Sequence, residues 1–417
     1  MLCLFSLVID NRPAEYFQTI HKKNTVKELL MMRRQVSHEK NKCLHKHRSM
    51  MGQKCSDNIL EHKFKSPKSE VFPSDLSPHL FDPPTPVHFS NMDQSPPENG
   101  HITQQQMQHP MYPTAEVKLT LFHWQIQRET QRMEGVSQEK LNMQDGDGDT
   151  ILHIAVAKGR RALAYVLATQ MSRCGSLDVK EHNGQTALQI AAATNQHLIV
   201  HDLLEHGAQI NTRDLWGRSP LHVCAEKGHL LSLQSIWKTL MRTGQPIDIE
   251  MFNYEGLTAL HAAVMSHNAV VKELRTLENP CSYMTMELGQ RRQMHFECIK
   301  ILLHMGACFG TKDLKSGHTC LHMASEEANV ELLNLFLDQS SSLSFINVKT
   351  FSGNTALHIV SSLQNHKTQV EAVKLLMRNG ADPGTRNFEN ELPCHLVPGG
   401  PVGDKVRRVL KGKYVHA

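Results

Sequence analysis

One six-residue phrase recurs seven times in this 417-residue chain, and no other feature restricts its fold so tightly. The phrase is Thr or Ser, a small residue or Pro, Leu, His, an apolar residue, then Ala. It reads Thr150-Ile151-Leu152-His153-Ile154-Ala155, then Thr186-Ala187-Leu188-Gln189-Ile190-Ala191, then Ser219-Pro220-Leu221-His222-Val223-Cys224. It returns as Thr258-Ala259-Leu260-His261-Ala262-Ala263, Thr319-Cys320-Leu321-His322-Met323-Ala324 and Thr355-Ala356-Leu357-His358-Ile359-Val360, and ends in a degenerate Leu392-Pro393-Cys394-His395-Leu396-Val397. Thr150 and Thr186 stand 36 residues apart, Thr186 and Ser219 33. A unit this short cannot bury its own apolar face, so the copies must stack on one another.

Each residue type has a task at that spacing. The Thr or Ser hydroxyl caps a first helix, and Pro220 suits the first helical turn, where a missing N–H costs nothing. Leu and Ala face the next copy. The turn to a second helix needs a residue that tolerates positive φ, which Gly159, Asn195 and Gly228 supply. His267, Ala328 and Gln364 hold that place elsewhere, which predicts distorted turns. Second helices close on Gly207, Gly306 and Gly380. Asp147-Gly148, Asn183-Gly184, Trp216-Gly217, Glu255-Gly256, Ser316-Gly317 and Ser352-Gly353 read as the turns of protruding β-hairpins. Period and grammar together resemble the ankyrin repeat. The expectation is an all-α ankyrin solenoid of about seven helix-turn-helix units with β-hairpin loops. The units fall near 147–180, 183–213, 216–250, 255–312, 316–349, 352–386 and 389–413. Thr258 and Thr319 are 61 residues apart, so the fourth unit carries an insertion at about 278–294, which lengthens a helix or a loop.

The rest of the chain is of another kind. Residues 1–68 form a basic region, 69–114 a Pro-, Ser- and Gln-rich linker too poor in apolar residues to order itself, 115–143 a capping helix, and 144–413 the repeats. In the capping helix Leu119, Phe122, Ile126 and Trp124 mark the apolar face. The apolar opening, Met1–Ile9, has no preceding basic residue and no small-residue cleavage site, unlike a signal peptide. No stretch approaches the ~20 apolar residues of a membrane span. The ten cysteines, without a C-x-x-C pair, read as reduced thiols.

No constellation points to catalysis, a cofactor or a metal. The phrase histidines stand one repeat apart, so they form a ladder in which each bonds backbone instead of converging on an ion. Cys43, His45, His47, Cys55 and His62 match no compact zinc spacing, and Asp145, Asp147 and Asp149 lack the glutamate that closes a calcium loop. A protein-binding solenoid is therefore expected, not an enzyme. Hairpin tips and the concave first-helix face are its natural docking surfaces, with Glu181, His182, Arg213, Trp216, Arg218, Tyr254 and Lys312 as candidate contacts. Trp216 and Arg218 stand out by residue type. The bases around Lys22–Arg48 suggest nuclear import.

Longer segments narrow the resemblance. They include Asp147-Gly148-Asp149-Thr150, Gly159-Arg160-Arg161-Ala162-Leu163, residues 177–185, 195–200 and 220–229, Gly380-Ala381-Asp382-Pro383, and the end from His395 to Lys413. Together they resemble the atypical, nuclear inhibitor-of-kappa-B proteins, in particular their zeta type. Residues 16–36, with Phe17, Gln18, Val26, Lys27, Glu28, Leu29, Leu30, Arg33 and Arg34, resemble the Oct-coactivator peptide that such proteins carry, with Val26, Leu29 and Leu30 on one helical face. The resemblance implies a nuclear transcriptional regulator that binds NF-kappa-B dimers, p50 homodimers most of all, and modulates inflammatory genes. It also implies contact with POU-domain (Oct) factors, with DNA met mainly through these partners and no membrane. Arg407, Arg408, Lys411 and Lys413 make a basic, DNA-proximal end. The alternatives are a cytoplasmic inhibitor that sequesters NF-kappa-B, or a generic ankyrin scaffold.

Overall fold

A computed structural model describes residues 120–277, 281–364 and 366–412. Two helices, α1 (Leu121–Met133) and α2 (Gln138–Asn142), precede the repeats. Helix pairs follow: α3 (Ile151–Ala157) with α4 (Arg161–Arg173), α5 (Ala187–Ala193) with α6 (His197–Glu205), α7 (Pro220–Lys227) with α8 (Leu230–Thr243), α9 (Ala259–Thr276) with α10 (Ser282–His304), and α11 (Cys320–Glu326) with α12 (Val330–Leu337). After the short α13 (Ser342–Phe345) comes the sixth pair, α14 (Ala356–Ser362) with α15 (Gln369–Arg378). The seventh copy keeps only a 3-10 turn, Pro393–His395, before α16 (Pro401–Leu410). Among the described residues none forms a β-strand. The expected β-hairpins are tight turns instead, each held by one side chain.

The phrase builds the core. Leu152, Leu188, Leu221, Leu260, Leu321 and Leu357 are all buried between repeats, each worth about 1.5–3 kcal/mol of transfer free energy. Ala155, Ala191, Ala263 and Ala324 are fully buried too, and their small side chains let neighbouring first helices approach closely.

The histidine has two bonds to make, one on each ring nitrogen. At Thr258 the backbone N–H donates to His261 Nδ1 (3.2 Å), and the same cap recurs at Thr150, Ser219, Thr319 and Thr355. Because Nδ1 accepts, the ring proton sits on Nε2, which in four of the five donates to the following repeat; the buried Nε2 of His153 meets no acceptor at hydrogen-bonding distance. His222 reaches Leu257 O (3.0 Å), His261 Thr311 O (3.1 Å), His322 Val348 O (3.0 Å) and His358 Glu391 O (3.2 Å). Gln189 does the same work with an amide: Oε1 accepts from Thr186 N (3.0 Å) and Nε2 donates to Arg218 O (2.8 Å). Burial lowers the pKa of these rings, to about 4 at His153 and His322 and below the usual value at His222, His261 and His358.

Where the turn residue departs from Gly or Asn, three different solutions appear. At His267 there is no turn: α9 runs straight through it. The ring is fully buried, with Nδ1 3.0 Å from Asn329 Nδ2 and Nε2 3.3 Å from the Glu331 carboxylate. Asn329 also donates to Asn268 Oδ1 (2.8 Å), and Asn268 to Met323 O (2.7 Å). Farther along, Arg275 pairs with Glu327 (2.7 Å) and touches His366. The lengthened helix thus leans on repeats five and six. Its partner α10 is lengthened in the same way, so the 61-residue interval is taken up by two long helices. At Gln364 a loop replaces the turn. At Ala328 the left-handed turn is kept, with φ 41°. That conformation costs an L-residue about 1–2 kcal/mol. Ala328→Gly is expected to stabilise the protein by about 0.5–1 kcal/mol after glycine's own entropy is subtracted. Urea titration checks this, and a loss of stability would show that the buried methyl matters more than the strain.

The capping helix packs on α4 rather than on a first helix. Phe122 meets Tyr165 edge-on at 6.0 Å, and the Arg161 guanidinium lies 4.0 Å over the Phe122 ring while forming a two-pronged bond with Asp202 (2.7 and 2.9 Å). Trp124, expected on the apolar face, is exposed, with Arg128 over its ring. Leu119 lies outside the described residues.

Candidate docking surface

The tips between repeats share one construction. A buried polar residue takes the N–H groups of the turn that follows it. Asp214 Oδ1 accepts from Trp216 N (3.0 Å) and Arg218 N (2.8 Å). Asn253 accepts from Glu255 N and Leu257 N, Asp313 from Lys315 N and His318 N, and Asn387 from Glu391 N. Three or four residues after the acceptor the backbone turns left-handed, at Gly217, Gly256 and Gly317 and, in the last tip, at Asn390. A Cβ on Gly217 would lie 2.6 Å from the Tyr254 ring, and one on Gly317 2.6 Å from Phe351. The glycines therefore serve both the turn and the stacking of the next tip on it. Backbone bonds tie the tips in series: Leu215 N to Asn183 O (3.0 Å), Tyr254 N to Trp216 O (3.0 Å), Leu314 N to Gly256 O (3.0 Å), Phe351 N to Ser316 O (3.0 Å) and Phe388 N to Ser352 O (3.3 Å).

The residue after each buried acceptor is lifted outward. Leu215, Tyr254, Leu314, Phe351 and Phe388 are all more than half exposed, as is Trp216 next to Leu215. Stacking sets these six side chains in one row along the tips. Exposed large apolar residues in a contiguous line mark an interaction surface.

Of the seven contacts expected from sequence, Trp216 and Tyr254 lie in this row, and His182, Arg213 and Lys312 are exposed beside it. Two do not fit. Glu181 is buried, and its carboxylate accepts from Asn183 N (2.9 Å) and Gln185 N (3.0 Å), so it shapes a tip and offers nothing to a partner. Arg218 is half-buried between Asp214 (3.0 Å) and Glu226 (3.0 Å), with its guanidinium 4.8 Å over the Trp216 ring. It holds Trp216 in place. Leu215, Leu314, Phe351 and Phe388 are not among the contacts expected from sequence. A signal for them exists: each stands directly after the polar residue that opens the turn.

A family model described as ankyrin repeats (3 copies) matches residues 119–214 and 290–387. Human NF-kappa-B inhibitor zeta is 55% identical over 303 residues, 73% of this chain and 42% of that protein. Mouse NF-kappa-B inhibitor delta is 39% identical over 275 residues, 66% of this chain and 80% of the relative. The chain belongs to the NF-kappa-B inhibitor family. Among solved structures, the ankyrin repeat domain of Bcl-3, described as a member of the IkappaB protein family, has a TM-score of 0.50 at 28% identity, covering 64% of this chain and all of that one. The relatives are named as inhibitors of NF-kappa-B, and the segments matched by the family model are ankyrin repeats. The chain spans less than half the length of its zeta relatives.

The basic end of this family member is only partly available. Arg407 donates to Val397 O (2.6 Å) and pairs with Asp404 (3.2 Å), so it fastens α16 to the preceding loop. Arg408, whose Nε donates to Asp404 O (3.3 Å), is exposed, as are Lys411 and Lys405. Lys413 and the Oct-coactivator-like segment, with the whole set from Phe17 to Arg34, lie outside the described residues.

Proposed function

We propose that this chain is a nuclear regulator of transcription that docks an NF-kappa-B dimer of p50 type along its row of apolar tips, while the dimer stays on kappa-B DNA. The observation that carries the reading is that row, six exposed apolar side chains in series, on a member of a family whose relatives are named for inhibiting NF-kappa-B. The choice between cofactor and stripping inhibitor rests on charge. Lys405, Arg408 and Lys411 present a basic surface on and just after α16. Positive charge beside a DNA-bound dimer attracts phosphate, whereas an acidic end would repel it.

A gel-shift assay with p50 homodimer and a kappa-B duplex tests this. The expected result is a slower band containing all three components. Loss of the dimer–DNA band without a new one would favour the sequestering inhibitor. Reversing Lys405, Arg408 and Lys411 to Glu is expected to weaken the ternary complex about tenfold at low salt and less at high salt. An unchanged band would remove the basic end from the account. Residues 16–36 belong to the same reading as a docking peptide for a POU-domain factor, with Val26, Leu29 and Leu30 against the protein and Lys27, Arg33 and Arg34 towards phosphate. Titration of that peptide into a POU–octamer complex, with Leu29→Asp as the control, decides that part.

A further inference from the structure

The arm leading into each tip alternates. Its buried acceptor points inwards, and the residues on either side of it point out together, as alternate side chains do along extended backbone. The residue after the acceptor belongs to the apolar row in every tip from Asp214 onward, whereas Glu181 is followed by His182. The residue before it is a base in five tips: Lys180, Arg213, Lys312, Lys349 and Arg386. Four of these are exposed and Lys349 is half-buried. Lys180 Nζ donates to Arg213 O (2.8 Å) and Lys349 Nζ to Arg386 O (2.8 Å), which lays each ammonium along the stack towards the next tip. Four tips thus repeat a two-part unit, a base beside an apolar side chain: Arg213 with Leu215, Lys312 with Leu314, Lys349 with Phe351 and Arg386 with Phe388. The pattern is strongest over the last three tips, where Lys312, Lys349 and Arg386 accompany Leu314, Phe351 and Phe388. Earlier, Phe252 interrupts the bases. Glu255 and Glu389 are exposed acids on the crests, and Glu226 and Glu326, exposed at the ends of their first helices, lie against the tip residues Arg218 and His318 (both 3.0 Å).

We infer that this array binds an extended acidic peptide segment in which leucines or aromatic residues alternate with Asp and Glu. The carboxylates meet the bases and the apolar side chains meet the row. A row of bases alone would suit any polyanion, and an apolar row alone any greasy face. The fixed offset of the two rows selects a chain with both features in alternation. The inference rests on reading the tips as the docking surface and does not depend on which transcription factor the protein serves.

The test is fluorescence anisotropy with the full chain and a labelled peptide in which Asp and Glu alternate with Phe and Leu. Two competitors are included: the same peptide with Ser at the apolar positions, and a DNA duplex. The expected result is binding of the first peptide and much weaker binding of the Ser version. Lys312→Glu with Lys349→Glu, and separately Leu314→Ser with Phe351→Ser, should each weaken binding about tenfold or more, with the helical circular dichroism of the wild type retained. Failure of the wild type to bind overturns the inference. So does equal affinity for the Ser peptide, or binding that only the base reversals affect, since either describes a general polyanion site. The gel-shift assay scores the dimer separately: a chain that shifts p50 on DNA but ignores the peptide rejects this inference alone, and the converse rejects only the dimer reading.

Discussion

Lowering the pH from about 6.5 to about 4 is expected to unfold the repeats cooperatively, through the histidines that join them. In the folded protein His153 and His322 have pKa values near 4, and His222, His261 and His358 also lie below the ordinary value, because burial disfavours the charged ring. Unfolded, each returns to its ordinary value of about 6.5. The unfolded state therefore binds more protons throughout this interval. Stability is fully present above about pH 6.5 and is lost as pH falls towards the folded values. Each tenfold change in proton affinity is worth about 1.4 kcal/mol, so His153 and His322 each contribute on the order of 3 kcal/mol. Geometry gives the same sign, since a protonated Nδ1 cannot accept the cap N–H. Gln189 supplies the control. It makes both bonds without titrating, so His322→Gln should move the acid midpoint measured by circular dichroism to lower pH. An unmoved midpoint would assign acid unfolding to other groups.

Replacing Trp216 and Tyr254 together with Ala is expected to weaken the proposed docking of the NF-kappa-B dimer roughly 100-fold, about 3 kcal/mol, because large aromatic side chains carry a disproportionate share of affinity at protein interfaces. Both are more than half exposed, so the fold should survive with little change in thermal midpoint. Arg218→Ala should behave in the opposite way. It removes the partner of Asp214 and Glu226, so it should cost stability while touching affinity only through the freedom it gives Trp216. Calorimetric titration and thermal melts on both variants separate the two effects. Full affinity in the double aromatic variant would place the docking surface elsewhere.

The difference between Trp216 and Arg218 shows where sequence reading stops. Both look like contacts by residue type. Arg218 is occupied by Glu226, eight residues along, a pairing that becomes visible only once α7 has set Glu226 beside the tip. Glu181 and His182 stand side by side, and it is the N–H groups of the turn that draw one inwards and leave the other out. His267 looks like a poor turn residue. Asn329, 62 positions later, helps make it the interior of a long helix.

The sequence by itself determined the repeat, its capping chemistry, its buried Leu and Ala, and the lengthened fourth unit. Those follow from local periodicity and from hydrogen bonds spanning three residues, which act wherever the chain goes. Tertiary structure alone decided which tip residues line up, because the row exists only where one tip rests on the glycine of the tip before it. It also decided which charges remain for a partner, because an ion pair is settled by whatever the fold brings within reach.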